Sequence, residues 1–197
     1  MNLNSKLKQF VSIILAVICL LSSSISAYAY GFTSGGKFNS VPITFYVNTG
    51  TNSKYITDFQ NALNTWNNAG FGTLFVYGGT RAVLTATSMD SVNGVTFVNR
   101  GSTVALANTT IYCDSSGTIY EANIEVNTHY TFKCTSDSLL VNGYDMQSMF
   151  THELGHALGL DESMYIDATM YFNMPINETK KRTLHSDDIA GLAALGY

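Results

Sequence analysis

The run Thr151-His152-Glu153-Leu154-Gly155-His156-Ala157-Leu158-Gly159-Leu160-Asp161-Glu162 carries the residue types and spacing of a metal-dependent hydrolytic centre. His152 and His156 are four positions apart, so on a helix they share a face and both imidazoles can reach one ion. Glu153 follows the first histidine directly, which sets its carboxylate beside an ion rather than on it. A base standing there can take a proton from a zinc-bound water. The short motif alone is weak, because two of its five positions are free. Gly159 strengthens it, since a glycine takes the positive φ that stops a helix and swings the chain back. Glu162 then brings a third side chain toward the same ion. Carboxylates are good zinc ligands, and a catalytic zinc has three protein ligands with a fourth position open. Asp161 is the rival third ligand, and is otherwise a solvated turn residue.

These residues need a helix to carry them, and the pattern predicts one from Tyr144 to Gly159, with Met146, Phe150, Leu154, Ala157 and Leu158 toward the core. Earlier, Val41 to Asn48 alternates and is β-branched and aromatic, as a strand requires. Ile56, Phe59, Leu63 and Trp66 recur at three and four between Lys54 and Ala69, and Gly70 follows as a stop. Trp66 reads as core packing. Short β-like stretches follow at Leu74–Tyr77, Ala82–Thr87, Val95–Asn99, Val104–Tyr112 and Ile119–Val126, separated by Gly, Ser, Asn and Asp. No repeat is visible. The chain is irregular from the glycine turn to His185, after which Ser186-Asp187-Asp188 caps a final helix with acids at its positive end. The order predicts an α+β domain with a mixed sheet and three helices.

Residues 1–29 read as a secretory signal peptide. Lys6 and Lys8 give a positive start, Val11 to Leu21 is an apolar run short for a bilayer, and Ala27-Tyr28-Ala29 offers small residues for cleavage. Residues 30–197 are then one catalytic domain, exported to the extracellular space, with no stable membrane insertion once the signal is removed. Cleavage takes away Cys19 and leaves Cys113 and Cys134, which in an exported chain most simply form one disulfide. A free thiol pair or a second metal site is the competing reading. The whole chain carries a formal charge of −4, and the mature part, without Lys6 and Lys8, is more acidic. No basic patch exists to attract nucleic acid.

Four stretches together resemble the metzincin zinc endopeptidases, and within them the matrixins. His152 to Gly159 is similar to their zinc-binding helix and glycine turn. Asp167-Ala168-Thr169-Met170-Tyr171 resembles the methionine turn, and Leu184 to Tyr197 the terminal helix with its paired aspartates. A weaker likeness lies in the first strand, in Phe59 to Ala69 and in Glu121 to Tyr130. The resemblance implies a metzincin-type fold, with a twisted mixed sheet and the order strand, helix, strands, active-site helix, methionine turn, C-terminal helix. It also implies a single catalytic Zn2+ on His152, His156 and Glu162, with Glu153 as general base, and a monomer acting on peptide or protein substrates. Met170 would form an apolar floor under the ligands. Tyr171 and the following Phe172-Asn173-Met174-Pro175 would wall the pocket for the residue after the cleaved bond, which is expected to be apolar or aromatic. Ca2+ is compatible with the family, although the sequence places no site for it.

The chain departs from matrixins in three ways. Glu162 stands where they carry His, no latency segment with a cysteine precedes the domain, and Phe172 replaces the usual proline after the methionine turn. Their second, structural zinc needs several histidines before the active-site helix, and only His129 is present there. His129 reads as a surface strand residue and His185 as a loop residue near a helix start. Substrate would pair with a free sheet edge as an added strand, with Val104 to Asn108 the candidate edge. Tyr112, Tyr120 and Tyr130 could line the cleft, but on strands they more often pack. The reading is a secreted zinc-dependent endopeptidase. Its alternative is a secreted zinc-holding domain that binds a partner without cutting, and a structural protein with a chance histidine stripe is a third.

Overall fold

The computed structural model describes residues 30–82, 87–102, 104–137 and 142–197. The expected signal peptide lies outside the described residues, as do residues 83–86 of the expected strand Ala82–Thr87. The first long strand, β2 (Ile43–Asn48), follows the short β1 (Gly31–Phe32). Alternation turns Ile43, Phe45 and Val47 inward. Helix α1 (Ser53–Asn67) starts where the Asn52 side chain accepts from the Lys54 amide, and it buries Phe59, Ala62, Leu63 and Trp66. Strands β3 (Phe75–Arg81), β4 (Asn93–Val98), β5 (Ala107–Cys113) and β6 (Ile119–Asn127) complete a five-stranded sheet in the order β3-β2-β4-β6-β5.

Pairings β2–β3, β2–β4 and β4–β6 are parallel, while β5 runs antiparallel to β6 on the sheet's edge. The sheet is therefore mixed, as expected. Parallel neighbours need a crossover, and α1 supplies it between β2 and β3. A cluster of edge-to-face rings fills the space between sheet and helices, with Phe59 packed on both Phe45 and Phe150.

The short strands β7 (Phe132–Lys133) and β8 (Tyr144–Asp145) pair in parallel and deliver the chain to α2 (Met146–Ala157). Asp145 caps α2 by accepting from the Ser148 amide, and Arg182 Nε donates to the same carboxylate at 2.9 Å. The cap costs the expected helix its first two residues, Tyr144 and Asp145. After the turn at Gly159 the chain enters β9 (Leu160–Asp161), which pairs antiparallel with β1. Gly159 has φ 103°, and a Cβ there would overlap the Gly36 carbonyl, so no other residue fits this turn. A 3-10 turn (Lys180–Arg182) and α3 (Ser186–Leu195) close the domain. The cap of α3 is His185, with Asp188 completing a capping box.

The expected disulfide is corrected: Cys113 and Cys134 are free thiols, one exposed and one buried. Cys113 pairs with Ile119 at the start of β6, whereas Cys134 follows the far end of that strand, next to Thr135, whose amide donates to Asp58 of α1. A nine-residue strand separates the two positions, roughly 26 Å at 3.3 Å per step. Bridged cysteines need Cα atoms within about 7 Å.

Candidate metal centre and active site

Helix α2 presents His152 and His156 on one face, with ring centroids 4.8 Å apart. The turn at Gly159 reverses the chain so that Glu162 returns to them. Glu162 Oε1 lies 3.5 Å from His152 Nε2 and 3.7 Å from His156 Nε2. One ligand atom from each of the three residues falls within a 4.8 Å set. Tetrahedral zinc with bonds near 2.0–2.1 Å places its ligand atoms about 3.3 Å apart, so the spacing fits.

The tautomers fit as well. His152 Nδ1 is 2.8 Å from the Thr169 carbonyl and His156 Nδ1 is 2.9 Å from the Leu160 carbonyl. A carbonyl only accepts, so each Nδ1 carries a hydrogen and each Nε2 is the atom turned to a metal. Asp161 accepts from the Glu162 amide instead and does not join the set.

Without an ion the three groups couple directly. Burial works against the charged form of His156, but the hydrogen bond to Glu162, the charge of Glu153 and the Leu160 carbonyl outweigh it and push its pKa up to about 9. Burial also opposes ionisation of Glu162, yet the hydrogen bonds and charges of the two histidines hold it down at about 2.

A cleft of about 450 Å³ runs over this face. Ala105 to Thr109 form one side, and among the described residues β5 pairs with β6 alone, so most of the expected edge stretch Val104 to Asn108 lines the cleft. The strand itself begins at Ala107, later than expected. Phe172 and Met174 line the other side, Phe172 63% exposed. Tyr171 directs its carbonyl to the Lys181 ammonium. Tyr112, Tyr120 and Tyr130 do not line the cleft. Tyr130 instead donates toward the carbonyls of Ser102 and Val104, holding the segment before β5. His129 packs edge-to-face on Tyr130.

Met170 is 1% exposed beneath α2, where Gly155, which lies between the two histidines in the sequence, leaves room for its sulfur. Its position comes from α3: Asp188 accepts from the amides of Thr169, Met170 and His185. Asp187 takes the Ser163 hydroxyl at 2.7 Å. Asp188 thus holds the methionine turn as well as capping a helix, and Asp187 holds Ser163, whose amide donates to the Met170 carbonyl.

Two residues at the site had no signal in the sequence. Thr109 Oγ1 lies 2.6 Å from Glu153 Oε2. Lys181 is buried on the cleft wall, its ammonium 3.3 Å from His152 Nδ1, and burial lowers its pKa to about 8. Both contacts span long stretches of chain, and a threonine in a strand or a lysine in a basic run looks ordinary.

The sequence profile of the matrixin family matches residues 37–196, most of the chain. The chain belongs to the matrixin family. This matrixin is also similar to metalloendoproteinase 1 of Glycine max, with 40% identity over 58 residues. That stretch is 29% of the matrixin described here and 19% of the relative, so the match spans about a fifth of that protein. The α+β architecture of the described residues, with its mixed sheet and three helices, is consistent with the metzincin fold of the family.

Proposed function

We propose that the chain is a secreted zinc-dependent endopeptidase that hydrolyses peptide bonds in extended protein segments. The observation that supports this best is the convergence of two correctly tautomeric imidazoles and the Glu162 carboxylate beside a buried Glu153 on an open cleft. His152, His156 and Glu162 would hold the ion. Bound zinc supplies Lewis acidity, polarising the scissile carbonyl and acidifying the attacking water.

Glu153 carries the proton. Its free carboxylate oxygen takes one from the water as the new C–O bond forms, then gives it to the leaving nitrogen as the C–N bond breaks. The edge of β5 supplies backbone groups that pair with an extended substrate and hold its scissile bond over the ligands. Phe172 and Met174 give the pocket an apolar wall, while Lys181 adds one cation to it.

The test is to incubate the purified protein with a diverse peptide mixture, with and without a zinc chelator. Cleavage that stops on chelation and returns with zinc is expected, and Glu153→Ala should keep zinc and lose hydrolysis. Folded, zinc-loaded protein that leaves every peptide intact would point instead to a partner-binding domain.

A further inference from the structure

We infer that Thr109 is a positioning residue that orients the Glu153 carboxylate; the assignment deepens the endopeptidase reading and rests on it. The Thr109 hydroxyl is 2.6 Å from Glu153 Oε2 and 3.1 Å from the Glu153 carbonyl. It has one hydrogen to give, and the shorter contact to the charged acceptor takes it. Glu153 is 6% exposed, so water cannot replace this donor readily. With Oε2 held, the other carboxylate oxygen is left for proton transfer.

The register of the edge strand makes this contact. Thr109 pairs with Ile124 and Ala107 with Val126 on β6. Alternation therefore turns Ala107, Thr109 and Ile111 to the side of β5 that packs toward the core and α2, and a slip of one residue would present Asn108 or Thr110 to Glu153 instead. One strand thus both offers an edge to substrate and fixes the base. A carboxylate anchored by a rigid sheet, rather than free on a helix surface, loses less freedom when the proton moves.

The test compares Thr109→Val, which keeps the shape and removes the hydroxyl, with Thr109→Ser, which keeps the hydroxyl. Thr109→Val is expected to lower kcat by about tenfold to a hundredfold, the range for losing one hydrogen bond to a charged group, with KM and zinc content unchanged. Thr109→Ser should recover most of that loss. A crystal structure of each zinc-free variant reads the Glu153 rotamer directly, with the carboxylate turned away from β5 in Thr109→Val only. Unchanged kcat in Thr109→Val, equal losses in both variants, or an unmoved carboxylate would overturn the assignment. If the wild-type protein cleaves nothing, the endopeptidase reading falls by itself, and the rotamer still decides whether Thr109 positions Glu153.

Discussion

The indole Nε1 of Trp66 donates a 2.8 Å hydrogen bond to the backbone carbonyl of Thr151. Thr151 immediately precedes His152, so the ring is a strut between α1 and the helix that carries both histidines. Trp66 is fully buried. Trp66→Phe removes the bond and leaves unfilled volume, for a combined loss of about 2–4 kcal/mol. Urea denaturation checks it, and an unshifted midpoint would remove Trp66 as a strut.

Gly155 sits between the two histidines because Met170 and Trp66 occupy the space a side chain would need. Helix propensity favours alanine there by about 1 kcal/mol, but overpacking typically costs 1–3 kcal/mol. Gly155→Ala should therefore lower the melting temperature and weaken zinc binding. Adding Met170→Ala should return part of the zinc affinity, because it empties the contested space. Equal zinc affinity in all three proteins would contradict this.

The metal-free site gives the protein a pH-dependent stability of known sign. His156 is raised from 6.5 to about 9, so its contribution is complete below pH 6.5 and is lost as pH rises through 9. Glu162 is lowered from 4.5 to about 2, so its contribution is complete above pH 4.5 and is lost as pH falls through 2. Burial holds Lys181 at about 8 against 10.5, which destabilises the fold fully below pH 8 and not at all above 10.5. Chelated protein should be steadiest between pH 4.5 and 6.5, and Lys181→Met should steepen the alkaline loss above pH 8. Zinc uptake at pH 7 should release about one proton from His156, read by calorimetry in buffers of different ionisation enthalpy.

Glu162→His raises the formal charge of a zinc-loaded centre by one unit. Zinc should be retained, and the acid limb of the pH–activity profile should move to lower pH, because a more positive centre acidifies the attacking water further. An unchanged profile at full zinc occupancy would count against Glu162 as a ligand.

What the sequence discloses follows the reach of each interaction. The histidine pair, the helix stop at Gly159 and the buried stripe of α1 are local, fixed by helix geometry within a few residues, and they were legible. The matrixin likeness then carried the fold class and the methionine turn. Contacts such as Thr109 with Glu153 depend on which strands pair and in what register, which no short window states. The Cys113–Cys134 pairing failed for the same reason: counting cysteines ignores that a whole strand lies between them. Asp187 and Asp188 stand in the sequence as helix-start acids, whereas their oxygens also answer to Ser163, Thr169 and Met170 from the preceding loop.

The pairing of β1 with β9 has a consequence for the order in which the centre assembles. Gly31 lies opposite Asp161, and the Thr33 amide donates to the Gly159 carbonyl at 2.9 Å. The two histidines need only one helical turn, a submicrosecond event, to face the same way. Strand β9, which leads directly into Glu162, is secured by a segment some 130 residues earlier, and closing so long a loop is among the slow, entropically costly events of folding. On the proposed ligand set, two ligands would therefore be on offer before the third is secured. On that set, tight metal capture would report the arrival of β1.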